Sequence, residues 1–315
     1  MPARHGAGNV TLMVAMPPRS HILVVNGRKV RQPVFVISAP HSGADLLGRA
    51  IKQSAGFHLT IGQDAVQSVV YAFARSPSIQ RGRGDAAARV LRDAFAQAWQ
   101  VTAHCCLTCS PVCRDAGRVN GASCCVSERD IVRYGDASPD LLYCADGLVY
   151  AFPDARIVQL VRDGRDVVAA MLGDPQSLAW FRPGMANVGT EFPNPFYGIE
   201  TEQDQATWSA LSAAGKCALR WRGSVRMMAR LRTSMSAEQL TTLRYEDLIR
   251  HPGPTGAAVS GFVDGSIAPI PARLARREAK AQFEPGAWRT LLTPEQVAEV
   301  EEIAGAELAR VGYGG

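Results

Sequence analysis

The chain has 315 residues, of which 47% are hydrophobic and 20% charged, and a formal net charge of +5. That balance suits a globular fold with a sizeable core. With no block of lysine and arginine it gives no sign of nucleic-acid binding, and no apolar run approaches the ~20 residues of a membrane span.

Residues 1–20 read as irregular. Their short apolar run, residues 10–16, stands at the bottom of signal-peptide length and lacks a cleavage site, so the cytoplasm is the expected location. In residues 21–31 Asn26-Gly27 separates two strand-like runs, the signal of a type I′ hairpin. An N-terminal extension, 1–33, with that hairpin is therefore expected to precede one main domain, 34–315. Residues 34–51 follow as an apolar strand, a small-residue turn from Ala39 to Asp45, and a helix with leucines at helical spacing. Such a turn aims free N–H groups and the positive end of a helix dipole at one spot, a ready phosphate site. Taken alone it is equally an ordinary strand-to-helix connection.

A second strand is expected over 57–61, a helix over 86–104, and an irregular, cysteine-rich stretch over 104–144. Residues 156–172 read as strand and helix, with the charged turn Arg162-Asp163-Gly164-Arg165-Asp166 between them and the helix starting near Val167. Residues 174–205, rich in Pro, Gly and aromatics, read as a long binding loop in which Trp180, Phe181, Phe192, Phe196 and Tyr197 would form an apolar acceptor pocket. A helix over 205–232, a strand over 240–244 and a final helix capped by Thr293 complete the chain. Strands alternating with helices predict an α/β class with a central parallel sheet flanked by helices.

Four segments, in order, resemble the sulfotransferase superfamily, whose members use 3′-phosphoadenosine 5′-phosphosulfate (PAPS). They are APHSGADLL at 39–47, FPDARIVQLVRDGRDV at 152–167, LRYEDLIRHP at 243–252 and WRTLLTPEQVAEVEEIAGAELARVGY at 288–313. The resemblance implies a P-loop-like sulfotransferase fold, of bacterial type, and transfer of a sulfuryl group to a hydroxyl or amine of a small-molecule acceptor. Tailoring in bacterial specialised metabolism, such as antibiotic biosynthesis, would suit it. It also implies that Pro40, His41, Ser42, Gly43, Ala44 and Asp45 hold the donor's 5′-phosphosulfate. Arg162 would hold the 3′-phosphate, which remains in the product adenosine 3′,5′-bisphosphate; Arg276, Arg277 and Lys280 would help it or form an exposed basic helix face, and Tyr245 would be structural or lie beside the adenosine.

The sequence departs from that family at three places. His41 replaces the usual basic residue of the first turn, Ala137 replaces the lysine of a GDKTP-like segment, and Ala170 replaces a serine of the 3′-phosphate site. Histidine can donate to a leaving phosphate when protonated, but with an unperturbed pKa of about 6.5 it is not reliably charged. His41 and Asp64 are the candidate catalytic residues, Asp64 as general base. The departures leave open a repurposed fold that binds a ligand without transfer or runs PAPS-independent chemistry. A kinase-like NTPase is disfavoured, because the turn lacks GxxxxGK[ST].

Seven of eight cysteines fall within 105–144. Cys106, Cys109, Cys124 and Cys125 have spacings compatible with a structural zinc ion, the alternatives in a reducing compartment being free thiols. A homo-oligomer is left open by the sequence.

Overall fold

The structure, a computed structural model, describes residues 22–81, 84–121, 123–270 and 283–314. Asn26 and Gly27, both at positive φ, turn β1 (Val24–Val25) back onto β2 (Arg28–Lys29), forming the expected hairpin. Five parallel strands make the main sheet. They are β3 (Val34–Ser38), β4 (Phe57–Thr60), β5 (Arg133–Asp136), β6 (Arg156–Val161) and β7 (Leu240–Arg244), in the order β4-β5-β3-β6-β7.

Both faces of this sheet are buried, as a parallel sheet requires. Alternate residues of β3 and β6 point to opposite layers. Phe35, Ile37 and Ile157 join one core with α2 (Asp64–Arg75), α3 (Gly84–Ala98), α5 (Ala145–Ala151), α6 (Gly164–Leu172) and the long helix α9 (Ala213–Ser234). Val34, Val36, Val158 and Leu160 join the other with α1 (Ala44–Lys52), α4 (Pro111–Ala116), α10 (Tyr245–Arg250) and α11 (Pro252–Val263). The short α7 (Pro175–Ala179), α8 (Glu202–Thr207) and α12 (Trp288–Leu291) connect larger pieces, and α13 (Pro294–Arg310) closes the chain.

Three expectations are corrected. β5 lies inside the stretch read as irregular. The third helix stops at Ala98, and Trp99 turns inward to donate its indole N–H to the Gly135 carbonyl at 2.9 Å. The long helix starts at Ala213, not at 205, because the Ser212 hydroxyl caps it by accepting from the Gly215 N–H. The last helix begins as expected, with a Thr293/Gln296 capping box.

Candidate active site

The chain order places β3 at the centre, with its successors β5 on one side and β6 on the other. Ligands of open α/β sheets bind in the crevice at the carboxyl ends of strands where the order diverges. A cavity of about 480 Å³ opens there, lined by residues 38–46, Tyr71, Val112, Ala137, Ser138, Asp140, Asp174, Ser177, Trp180, Arg220 and Tyr245, among others.

Its floor is the turn between β3 and α1. His41 (φ 54) and Gly43 (φ 89) adopt left-handed backbone, and no side chain caps α1. A turn of this kind leaves the first N–H groups of the helix for a ligand. Gly43 is needed twice over: for its φ, and because a Cβ there would sit 2.6 Å from the ring of Tyr245. The Tyr245 hydroxyl donates to the Phe283 carbonyl at 2.8 Å, and burial pushes its pKa up to about 12, so the phenol stays neutral.

Arg162 braces this turn from below. It is fully buried at the end of β6, its Nη1 donates to the His41 carbonyl at 2.8 Å, and its guanidinium lies 4.4 Å from the Tyr245 ring centroid. It is not one of the residues lining the cavity. Arg165 is a structural ion pair. It binds Asp163, Glu301 and the Tyr313 carbonyl and stacks on Trp288.

His41 is half-buried, and its Nε2 lies 3.1 Å from the Ser177 Oγ and 3.3 Å from an Asp174 carboxylate oxygen. The Ser177 hydroxyl donates to the same oxygen at 2.7 Å. The contact with His41, ahead of the Ser177 bond, holds the Asp174 carboxyl far below the usual carboxylate range. Asp174 can do this because it is also the N-cap of α7, whose Pro175 starts the helix and fixes the carboxylate towards the turn.

The opposite wall carries a buried ion pair. Arg220 of α9 meets Asp140 at 2.6 Å and lies 4.0 Å from the Phe196 ring centroid. Burial opposes its charge, but Asp140 and Tyr143 outweigh it and raise its pKa. Below this wall, Asp136 is completely buried and accepts from the Thr60 hydroxyl and the Ser138 N–H; burial raises its pKa to about 7.

Several expected site residues lie elsewhere. Asp64 is exposed at the start of α2 and does not line the cavity, so the structure does not place it as a general base. Its neighbour Gln63 is the cap, accepting from the Ala65 and Val66 N–H groups. Of the five aromatics expected in the acceptor pocket only Trp180 lines the cavity. Phe196 and Tyr197 are core, Phe181 packs edge-on against Trp208, and Phe192 faces solvent. Arg276, Arg277 and Lys280 lie outside the described residues. The sequence reading missed Asp174, Ser177, Asp140 and Arg220. The signal for Asp174 was its place before Pro175, a helix start; Arg220 carried none, being one of many arginines on a long helix.

The zinc set is also corrected. Cys124 is disulfide-bonded to Cys105, which leaves Cys106, Cys109 and Cys125 of the expected ligands as free cysteines.

The sequence model of the sulfotransferase family matches residues 33–189, about half of the chain and the part that contains the turn, β5, β6 and Asp174. No curated protein matches the chain. Among solved structures it is similar to the sulfotransferase domain of the Synechococcus olefin synthase, at 13% identity over 91% of this chain and 98% of that one, with a TM-score of 0.46. It is similar to a sulfotransferase from Alicyclobacillus acidocaldarius at 14% identity, over 88% and 96%, with a TM-score of 0.40. It is also similar to a mouse sulfotransferase complexed with PAP, at 14% identity over 89% and 86%, with a TM-score of 0.41. The chain belongs to the sulfotransferase family.

Proposed function

We propose that the chain transfers a sulfuryl group from PAPS to a hydroxyl or amine of a small-molecule acceptor bound in the cavity. The observation that carries this reading is the uncapped turn of Pro40–Asp45, floored by Tyr245 and opening at the carboxyl edge of the sheet in a chain of this family. The turn fits the phosphosulfate end of the donor. Its amides have the geometry of an anion cradle, and a Cβ at Gly43 would close it. Bound there, PAPS would supply an activated sulfuryl group and leave as adenosine 3′,5′-bisphosphate.

The remaining work falls to this chain's side chains. The turn's N–H groups position the anion and offset charge on it. Arg162 keeps the turn in shape through the His41 carbonyl. Asp174 and Ser177 hold His41 by Nε2, which leaves Nδ1 to take the acceptor's proton or to donate to the departing phosphate. The acceptor lies between Tyr71, Val112 and Trp180, with the Asp140–Arg220 pair at its polar end.

A second reading, ligand binding without transfer, is favoured by Ala137. It is buried against α1, where a Cβ on Gly48 would meet it at 2.6 Å, and its methyl stands where the resemblance implies a lysine. The discriminating experiment incubates the chain with PAPS and a panel of phenols, alcohols and amines and follows sulfated product by mass spectrometry. Product that disappears in His41→Ala supports transfer. Donor binding without product from any acceptor supports the second reading.

A further inference from the structure

The catalytic cavity carries a charge pattern that donor binding does not require. Its lining holds the carboxylates of Asp45, Asp140 and Asp174 against one arginine, Arg220, and His41. No lysine lines it among the described residues. The arginine is also the more hidden partner of its ion pair. The Arg220 side chain is 1% exposed and lies 4.0 Å from the Phe196 ring centroid, whereas the Asp140 side chain that meets it is 8% exposed and that of Asp174 28%. A cleft lined mostly by one sign of charge focuses its field on the ligand. Here the sign is negative, and a donor anion in the turn adds to it.

The apolar part of the same cavity is aromatic. Tyr71 of α2 and Trp180 at the end of α7 stand with their ring centroids 4.8 Å apart. Asp174, Ser177 and Trp180 follow one another at three-residue spacing along α7 and its caps, so one face of that helix offers a carboxylate, a hydroxyl and an indole. Burial, and after it Asp140, pushes the Tyr71 pKa up to about 12, so its ring stays a neutral phenol. Aromatic faces beside carboxylates attract an organic cation, by the ring quadrupole and by charge. Arg75 approaches the Trp180 ring at 5.7 Å but does not line the cavity, and its Nη2 donates to the Met185 carbonyl at 3.0 Å.

We infer that the acceptor is an aryl-alkyl amine bound as a cation. Its reacting hydroxyl or amine meets His41, its ring lies along Tyr71 and Trp180, and a separate ammonium group faces Asp140. This deepens the transfer proposed above and rests on it for the role of acceptor; the charge preference is a property of the cavity alone. Asp140 can serve an ammonium because it has a second carboxylate oxygen beyond the one that Arg220 holds at 2.6 Å. A carboxylate in the same place would meet Asp140, Asp174 and the donor anion together, and like charges brought face to face repel. A neutral analogue keeps the ring contacts and loses the charge.

The test titrates the full chain by calorimetry with tyramine, para-ethylphenol and para-hydroxyphenylpropionate, with adenosine 3′,5′-bisphosphate present and absent. The three share a phenol ring and differ in charge. Tyramine is expected to bind about tenfold tighter than the neutral phenol, and the propionate weakest of all. In Tyr71→Leu the preference for tyramine is expected to shrink to about twofold. Equal affinities, a preference for the propionate, binding of none of the three, or a tyramine preference untouched by Tyr71→Leu would overturn the inference. The wild-type series decides the matter even if the variant fails to fold. Incubation with PAPS separates this inference from the transfer it rests on. A tyramine preference without sulfated product would contradict transfer alone, while product formed equally well from all three would contradict the charge preference alone.

Discussion

Asp174 decides how the His41 imidazole can work. A carboxylate held 3.3 Å from Nε2 by its own helix cap orients the ring and, in the proposed reaction, leaves Nδ1 for the acceptor. Asp174→Asn keeps the cap and removes the charge. It is expected to lower kcat about a hundredfold while leaving the affinity for adenosine 3′,5′-bisphosphate within about twofold, as loss of general acid–base assistance does; equilibrium binding beside steady-state rates checks this. Arg220 presents a different case. It is almost wholly buried, and Arg220→Met would strand the Asp140 carboxylate it now neutralises. The expected cost is about 3–5 kcal/mol of stability, read by denaturant titration. The sequence marks Asp174 only as a helix start before Pro175 and does not mark Arg220 at all. Each lies more than a hundred positions from the turn it serves, and only the fold brings them together.

At the scale of elements, the phosphate-type turn is set by two braces. Tyr245 of α10 packs under Gly43, and Arg162 at the end of β6 holds the His41 carbonyl. Gly43→Ala would force a methyl into the Tyr245 ring at a φ that alanine resists. It is expected to weaken bisphosphate binding at least tenfold with the fold intact by circular dichroism. β3 and β6 were legible because buried parallel strands are runs of branched apolar residues; β7, LTTLR and mostly half-buried, was legible from its β-branched threonines. β5 was not. Arg-Tyr-Gly-Asp has poor strand propensity, and the strand exists because β3 and β4 flank it. Gly135 is needed there, since a Cβ would stand 2.7 Å from the Val34 carbonyl oxygen. The aromatics of 174–205 misled for a related reason: composition marks a segment as able to bury apolar area, but Phe196 and Tyr197 bury it in the core.

Across the whole molecule, buried titratable groups pull stability in opposite directions. His58 is neutral in the fold, its pKa lowered to about 4 from 6.5 by burial and by Lys52. The unfolded chain binds that proton more readily, so this contribution is complete above pH 6.5 and is lost as pH falls towards 4. Its size is about 3 kcal/mol. Asp136, raised to about 7, acts oppositely and loses stability as pH rises from 3.8 to 7. A comparison with His58→Gln cancels the Asp136 effect. Denaturant titrations at several pH values are expected to show wild type losing about 3 kcal/mol more than the variant between pH 6.5 and 4, and parallel curves would refute the assignment.

The central claim is that the turn over β3 and its braces form a donor site. Calorimetric titration with adenosine 3′,5′-bisphosphate, run beside ADP with magnesium and repeated on Gly43→Ala, tests it most directly. The account predicts micromolar binding of the bisphosphate alone, weakened in the variant. Equal binding of both nucleotides, binding of neither, or bisphosphate binding untouched by Gly43→Ala would contradict it.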